Sequence, residues 1–185
     1  MPYESSYLIE FDKSPLEEVI FESDNNLKQI CDGAFSGSNI TNIDIPNSVI
    51  YLGDSAFSSC ENLKSVSISF LHTLGHSAFV GCKSLEKVDI DGVFTNIQSQ
   101  CFAGCKSLTT VILPKTITSI NNKAFDDSNN LKAYLRREYK KIVVTDQSFR
   151  DPDLVTSKVY FYSEEKPSGY KAWHYADDGE TILIW

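Results

Sequence analysis

The chain contains no uninterrupted apolar run of about 18 residues, so no segment is long enough to form a transmembrane helix. It is also short of positive charge. Seventeen Lys and Arg stand against 25 Asp and Glu, a formal charge of −8. That balance opposes nucleic-acid binding, which needs cations to neutralise phosphates, and opposes docking on anionic membranes. Histidine is scarce, with three in the chain. No Ser/His/Asp or Cys/His arrangement, phosphate loop or dinucleotide fingerprint is present, so hydrolytic and nucleotide chemistry have little to stand on. The opening residues, 1–10, lack the basic segment and apolar core of a secretory signal. Read as a native start, they place the protein in the cytosol; a removed leader would reverse that. No low-complexity tract or Gly/Ser linker divides the 185 residues, which suit one compact unit.

What the chain does have is a repeat. Phe35, Phe57, Phe79, Phe102 and Phe125 are separated by 22, 22, 23 and 23 residues. Five positions before them stand Ile30, Leu52, Leu74, Ile97 and Ile120, and one position before stand Ala34, Ala56, Ala78, Cys101 and Ala124. Six positions after the last four stand Leu63, Leu85, Leu108 and Leu131. Alternating pairs follow: Val66/Ile68, Val88/Ile90 and Val111/Leu113. Ile40, Ile43 and Ile45 match one residue early, so the first unit has lost a residue after Phe35; the second short gap has its deletion between Ile68 and Leu74. Alternation of this kind is strand-like, and Pro46 and Pro114 directly after it end pairing. One short strand per unit cannot close a domain alone. Stacked coils can, with each strand about 4.8 Å from the next and the apolar positions forming continuous internal columns.

The pattern Leu-x-x-Val-x-Leu-Pro, Ile-x-x-Ile, Ala-Phe, Leu runs through Leu108, Val111, Leu113, Pro114, Ile117, Ile120, Ala124, Phe125 and Leu131. With the Ala-Phe-x-x-Cys-x-x-Leu form of the other copies, it resembles the BspA-type (Treponema-type) leucine-rich repeat over about residues 16–135. A weaker unit precedes it, with Leu16, Val19, Phe21, Leu27 and Ile30. The resemblance implies a β-rich right-handed solenoid, a leucine-rich-repeat horseshoe of about five to six coils. Short parallel strands line one side, with short 3₁₀ or helical turns and loops on the other.

A solenoid exposes its terminal coils and needs caps. Tyr7 to Phe11 reads as an N-terminal strand, giving a cap segment at 1–15. Beyond Leu131 the expected inward positions become Tyr134 and Arg136, and a buried arginine is disfavoured, so the array is expected to end near 135. Residues 136–185 then form a connector and a β cap. In it, Val159–Tyr162, Trp173–Tyr175 and Thr181–Trp185 read as strands, the last two joined by a turn at Gly179. The same aromatic tail resembles one at the C-terminus of bacterial BspA-like proteins. Its buried use as a cap outweighs an exposed stacking platform for sugars or peptides.

Other chemistry is weighed against plain structure. Cys60, Cys82 and Cys105 share one repeat position, three after the anchor phenylalanine, where Ser38 and Ser128 stand in the flanking units. A file of thiols about 4.8 Å apart cannot converge on one zinc ion, and a buried column of small residues is the expectation. Cys101/Cys105 is a C-x3-C, not a redox C-x-x-C. His72 and His76 flank Leu74 in a coil, without helical spacing or the glutamate of a zinc protease. The basic run from Arg136 to Lys141 reads as a solvated connector. No catalytic, cofactor or metal residues are assigned.

In a horseshoe the residues between inward strand positions face outward on the concave side. That assigns a candidate partner-binding face: Ile20, Asp44, Ser67, Asp89 and Ile112, flanked by Glu18, Asn42, Ser65, Lys87 and Thr110. The expected function is a non-catalytic protein-interaction module with a protein or peptide partner and no cofactor. The resemblance implies a bacterial surface or secreted protein with an adhesin-like role. The alternatives are an intracellular scaffold and, remotely, an enzyme with its site on the C-terminal cap.

Overall fold

The computed structural model describes residues 16–21, 26–128, 131–135, 143–144, 158–162, 173–175 and 181–184. The expected strand at 7–11, the basic run at 136–141 and the turn at 176–180 lie outside the described residues.

The described part is built from short strands joined by turns. In chain order these are β1 (Gln29–Ile30), β2 (Asn42–Asp44), β3 (Tyr51–Leu52), β4 (Ser65–Leu71), β5 (Thr73–Leu74), β6 (Lys87–Gly92) and β7 (Asn96–Ile97). There follow β8 (Thr110–Leu113), β9 (Ser119–Ile120), β10 (Lys132–Leu135), β11 (Val143–Val144), β12 (Lys158–Tyr162), β13 (Trp173–Tyr175) and β14 (Thr181–Ile184). The main sheet has the order β13-β14-β12-β10-β8-β6-β4-β2, and its run from β2 to β12 is parallel. The two-residue strands form β1-β3-β5 and β7-β9-β11, also parallel. The stacked-coil expectation therefore holds. No helix occurs among the described residues. The segments expected as short helical turns are hydrogen-bonded turns, for a backbone reason given below.

The alternation seen in the sequence is the register itself. Ile43, Val66, Val88 and Val111 lie side by side, as do Ile68 and Ile90, and all six are buried. The leucine column and the aliphatic column before each phenylalanine are buried as well. The five anchor phenylalanines stack as one file, with ring centroids 5.2, 5.3, 5.4 and 5.3 Å apart and planes within 16° of parallel. These spacings lie inside the range that offset aromatic pairs favour. The backbone holds the file in place, since each of Phe35, Phe57, Phe79 and Phe102 donates its N–H to the residue before the next phenylalanine, at 2.8–2.9 Å.

Each Ala-Phe turn is bracketed by two left-handed residues. Gly33, Ser55, Ser77, Gln100 and Lys123 stand two before the phenylalanine, and Gly37, Ser59, Gly81, Gly104 and Asp127 two after it, all with positive φ. A right-handed helix cannot propagate through such residues, which is why turns replace helix here. Among the described residues the one positive-φ residue outside these columns is Phe70, at φ 64°. It marks the deletion. Ile68 to the buried Leu71 spans one residue fewer than Ile45 to Val49 or Ile90 to Phe94, and the β4/β6 register shifts there. Phe70 is 66% exposed, so its ring recovers little of the left-handed cost of about 1–2 kcal/mol. Phe70→Gly is expected to keep or raise stability, by up to about 1 kcal/mol after the entropy glycine gains in the unfolded chain. The urea midpoint measures it, and a clear fall would show that the ring packs.

Past Leu131 the register differs from expectation. Ala133 pairs with Val111 and Leu135 with Leu113, so these, not Tyr134 and Arg136, stand at the inward register positions. The step from Leu131 to Ala133 is one residue shorter than from Leu108, Leu85, Leu63 or Ile40 to the strand residue that follows. The parallel ladders then continue, with Val144 opposite Ile120 and Val159 and Phe161 opposite Ala133 and Leu135. At this end of the sheet β14 pairs antiparallel with β12, and β13 antiparallel with β14.

Candidate protein-interaction face

Because side chains alternate along a strand, burying Ile43, Val66, Val88 and Val111 turns their neighbours outward. Parallel pairing then aligns those neighbours across strands. Asn42, Ser65, Lys87 and Thr110 form one column, and Asp44, Ser67, Asp89 and Ile112 the next. Asn42, Asp44, Ser65, Ser67 and Lys87 are exposed; Asp89, Thr110 and Ile112 are half-buried. Eight of the ten expected face residues are thus brought together on four strands. The other two, Glu18 and Ile20, lie in a segment without strand pairing, both exposed, Ile20 to 80%. They line a cavity of about 790 Å³ with Asn42 and Asp44. Sequence reasoning stopped the columns at β8. The register carries them on to Lys132 and Tyr134, and then to Lys158 and Tyr160. Allowing a further one-residue deletion after Leu131 would have found the first two.

The chemistry of this face is shallow and mixed: carboxylates, amides, hydroxyls, one lysine and an isoleucine. Nothing converges on a point where a bond is broken. Among the described residues no group of three metal-ligating side chains occurs. His72 and His76 are exposed, and the His76 N–H donates to Asp54 Oδ1 at 2.7 Å, as the Asp54 N–H donates to Asp32 Oδ1 at 2.9 Å. These contacts tie adjacent coils together.

The cysteines do the same work inside. All five are unpaired, and Cys60, Cys82, Cys101 and Cys105 are buried. Cys60 Sγ donates to the Phe35 carbonyl at 3.0 Å, Cys82 Sγ to Phe57 at 3.0 Å and Cys105 Sγ to Phe79 at 3.1 Å. Ser128 Oγ repeats the contact to Phe102 at 3.0 Å, and Ser38 Oγ lies 3.4 Å from Cys60 Sγ. Each thiol is thus a proton donor, where a metal would require the thiolate. Burial, the largest cause in each case, pushes all four buried thiols up from their ordinary value near 9, Cys105 to about 12. Close thiol neighbours add to this at Cys82 and Cys101.

A stability consequence follows with a definite sign. Thiols whose folded pKa is raised stabilise the fold fully below the unfolded pKa. That contribution is lost as pH climbs from about 9 toward about 12, because the unfolded chain ionises first. Unfolding free energy is expected to fall across that window, and to fall less steeply in the Cys82→Ser/Cys105→Ser variant. Serine already serves the same position at Ser38 and Ser128, so this variant should fold. Urea titrations at pH 7 to 11 check it; equal slopes for both proteins would contradict it.

The family profile for the BspA-type leucine-rich-repeat region matches residues 9–132, in six copies. The chain belongs to the BspA-type leucine-rich-repeat family. Two solved structures are similar to this leucine-rich-repeat protein. One is a leucine-rich cell surface protein from Faecalibacterium prausnitzii A2-165 (24% identity, TM-score 0.50, covering 85% of this chain and 49% of that one). The other is a leucine-rich-repeat protein from Bacteroides ovatus ATCC 8483 (24% identity, TM-score 0.47, covering 70% and 38%). The chain therefore spans half or less of the length of these neighbours. No curated protein matches it. Membership makes a protein-interaction module the coarse functional class, since leucine-rich-repeat proteins are generally non-enzymatic. No described helix is long and apolar enough to cross a membrane.

Proposed function

We propose that this leucine-rich-repeat chain is a non-catalytic protein-interaction module whose partner docks on the outward face of the main sheet. The partner is a protein or peptide. The contact residues are Glu18, Ile20, Asn42, Asp44, Ser65, Ser67, Lys87, Asp89, Thr110 and Ile112. The observation that carries this reading is the pair of outward columns, Asn42 to Thr110 and Asp44 to Ile112, held in register by β2, β4, β6 and β8. A rigid sheet presents fixed side chains at regular spacing, so side-chain ordering costs little on binding. Nucleic acid is disfavoured as a partner by the net charge of −8.

By family resemblance the module acts at the bacterial cell surface, with adhesion to proteins as its role. In the same proposal residues 1–15 form an N-terminal cap strand and 16–135 the repeats. Residues 136–185 form the connector and β cap, with antiparallel β13 and β14 closing the sheet. The unpaired cysteines favour a second reading, an intracellular scaffold. Protease shaving of intact host cells separates the two: loss of the protein supports surface display, and full protection supports the scaffold.

The face itself is tested by affinity capture from the native host and its surroundings, using the whole chain. Asp44→Ala/Asp89→Ala is expected to weaken capture of the partner at least tenfold while leaving the urea midpoint unchanged. A partner retained at full affinity by that variant would rule the face out.

A further inference from the structure

We propose that the open edge of β2 is a strand-addition site for an extended, lysine- or arginine-bearing peptide segment. The proposal rests on the interaction-face reading and gives it a partner chemistry. Among the described residues β2 ends the main sheet, with β4 on one side and no strand on the other. The Thr41 carbonyl accepts the Lys64 N–H at 3.0 Å, toward β4. Backbone groups alternate direction along a strand, so those of Asn42 and Asp44 point away from β4, to the open side. Such an edge is a ready template for another strand.

The space beside it has room for one. The cavity of about 790 Å³ separates Asn42–Asp44 from Glu17–Phe21, within the range of roughly 300–1,000 Å³ of ligand-binding clefts. Its lining is one-signed: Glu17, Glu18 and Asp44 supply carboxylates, and no Lys or Arg lines it. Val19 and Phe21, which pack against the core, and the buried Ile43 line the same space. A strand added next to β2 alternates its side chains as β2 does. One set stands beside Asn42, Asp44 and Glu18, where cations are complementary. The other set stands beside Ile43, Val19 and Phe21, where aliphatic side chains fit. The occupant is thus an extended segment of alternating basic and aliphatic residues.

Isothermal titration of the full chain tests this with a capped synthetic peptide of alternating lysine and valine. Two control probes are the glutamate–valine counterpart and the lysine–valine peptide N-methylated at alternate backbone nitrogens. The lysine peptide is expected to bind, the glutamate peptide not. N-methylation should abolish binding, since it removes the N–H groups that pair while leaving the charge. Asp44→Lys and Glu18→Lys should each weaken binding at least tenfold, and Glu86→Lys, exposed just before β6 and outside the face, less than twofold. Absence of binding by the lysine peptide would overturn the proposal, as would undiminished binding of the N-methylated one. Equal weakening by Glu86→Lys would overturn it too. A host partner whose capture is lost in Asp44→Ala/Asp89→Ala, with no lysine-peptide binding, would leave the interaction face standing and remove the edge site.

Discussion

Phe79→Ala is expected to lower the unfolding free energy by roughly 3–5 kcal/mol, the cost typical of deleting a buried aromatic ring. Phe79 is fully buried and stacks on Phe57 at 5.3 Å and Phe102 at 5.4 Å, nearly parallel to both. Removing it empties the middle of the file and unsupports a ring on each side. In a coil array each unit touches mainly its neighbours, so stability is close to a sum of unit and interface contributions. A central gap strikes two interfaces at once. Phe70→Ala, whose ring is 66% exposed and lies outside the file, is expected to cost far less. Urea unfolding followed by tyrosine and tryptophan fluorescence measures both. Equal costs at the two positions would show that the stacked file contributes nothing of its own.

Gly75→Ala is the second large effect, at about 3 kcal/mol, the upper end of ordinary overpacking. The backbone of Gly75 needs no special conformation; the obstacle is space. A β-carbon there would run into the Gly53 carbonyl group and the Asp54 nitrogen, which belong to the adjacent coil's backbone and cannot rotate away. A β-carbon on Gly53 would in turn meet Asp32 and Cys31. The coils therefore approach closely along this line, and one methyl group must push two of them apart. Gly81→Ala is the contrast. Its φ is +74°, but an added β-carbon meets only Ser59, at 3.5 Å or more. Its cost is that of a left-handed alanine, about 1–2 kcal/mol. Thermal denaturation of the two variants should rank Gly75→Ala well below Gly81→Ala, and the reverse order would contradict the close-packed line.

The coil was legible because its inward positions repeat. Phenylalanine, cysteine or serine, leucine and the alternating pair recur at intervals that only stacking explains, and each such column is buried. Two things were harder to read. The left-handed columns are filled by Gly, Ser, Gln, Lys and Asp, a mixture with no residue signature, because neighbouring coils hold the turn through hydrogen bonds whatever the side chain. The path after Leu131 was misread through a one-residue deletion, which shifts the register of Lys132–Leu135 by one position. A signal was present in the chain all the same. Val144 pairs with Ile120, and Phe149 follows Val144 by five residues, the interval from Ile120 to Phe125. The face residues were legible by subtraction, as the strand positions that the inward columns leave free. Glu18 and Ile20 were placed by counting alone, and there the strand pairing that counting assumes is replaced by the cleft beside β2.

Inward columns build the coil; the proposal that the outward columns meet the partner is tested most directly by site-directed labelling. In a Cys31→Ser background the remaining native thiols are buried, so Ser67→Cys on the outward face or Lys106→Cys on a turn can be modified selectively with a bulky maleimide. Affinity for the captured partner is then measured before and after labelling. The account predicts that the label at position 67 abolishes binding and that the label at 106 leaves it unchanged. Binding that survives the first label, or is lost only with the second, would contradict it.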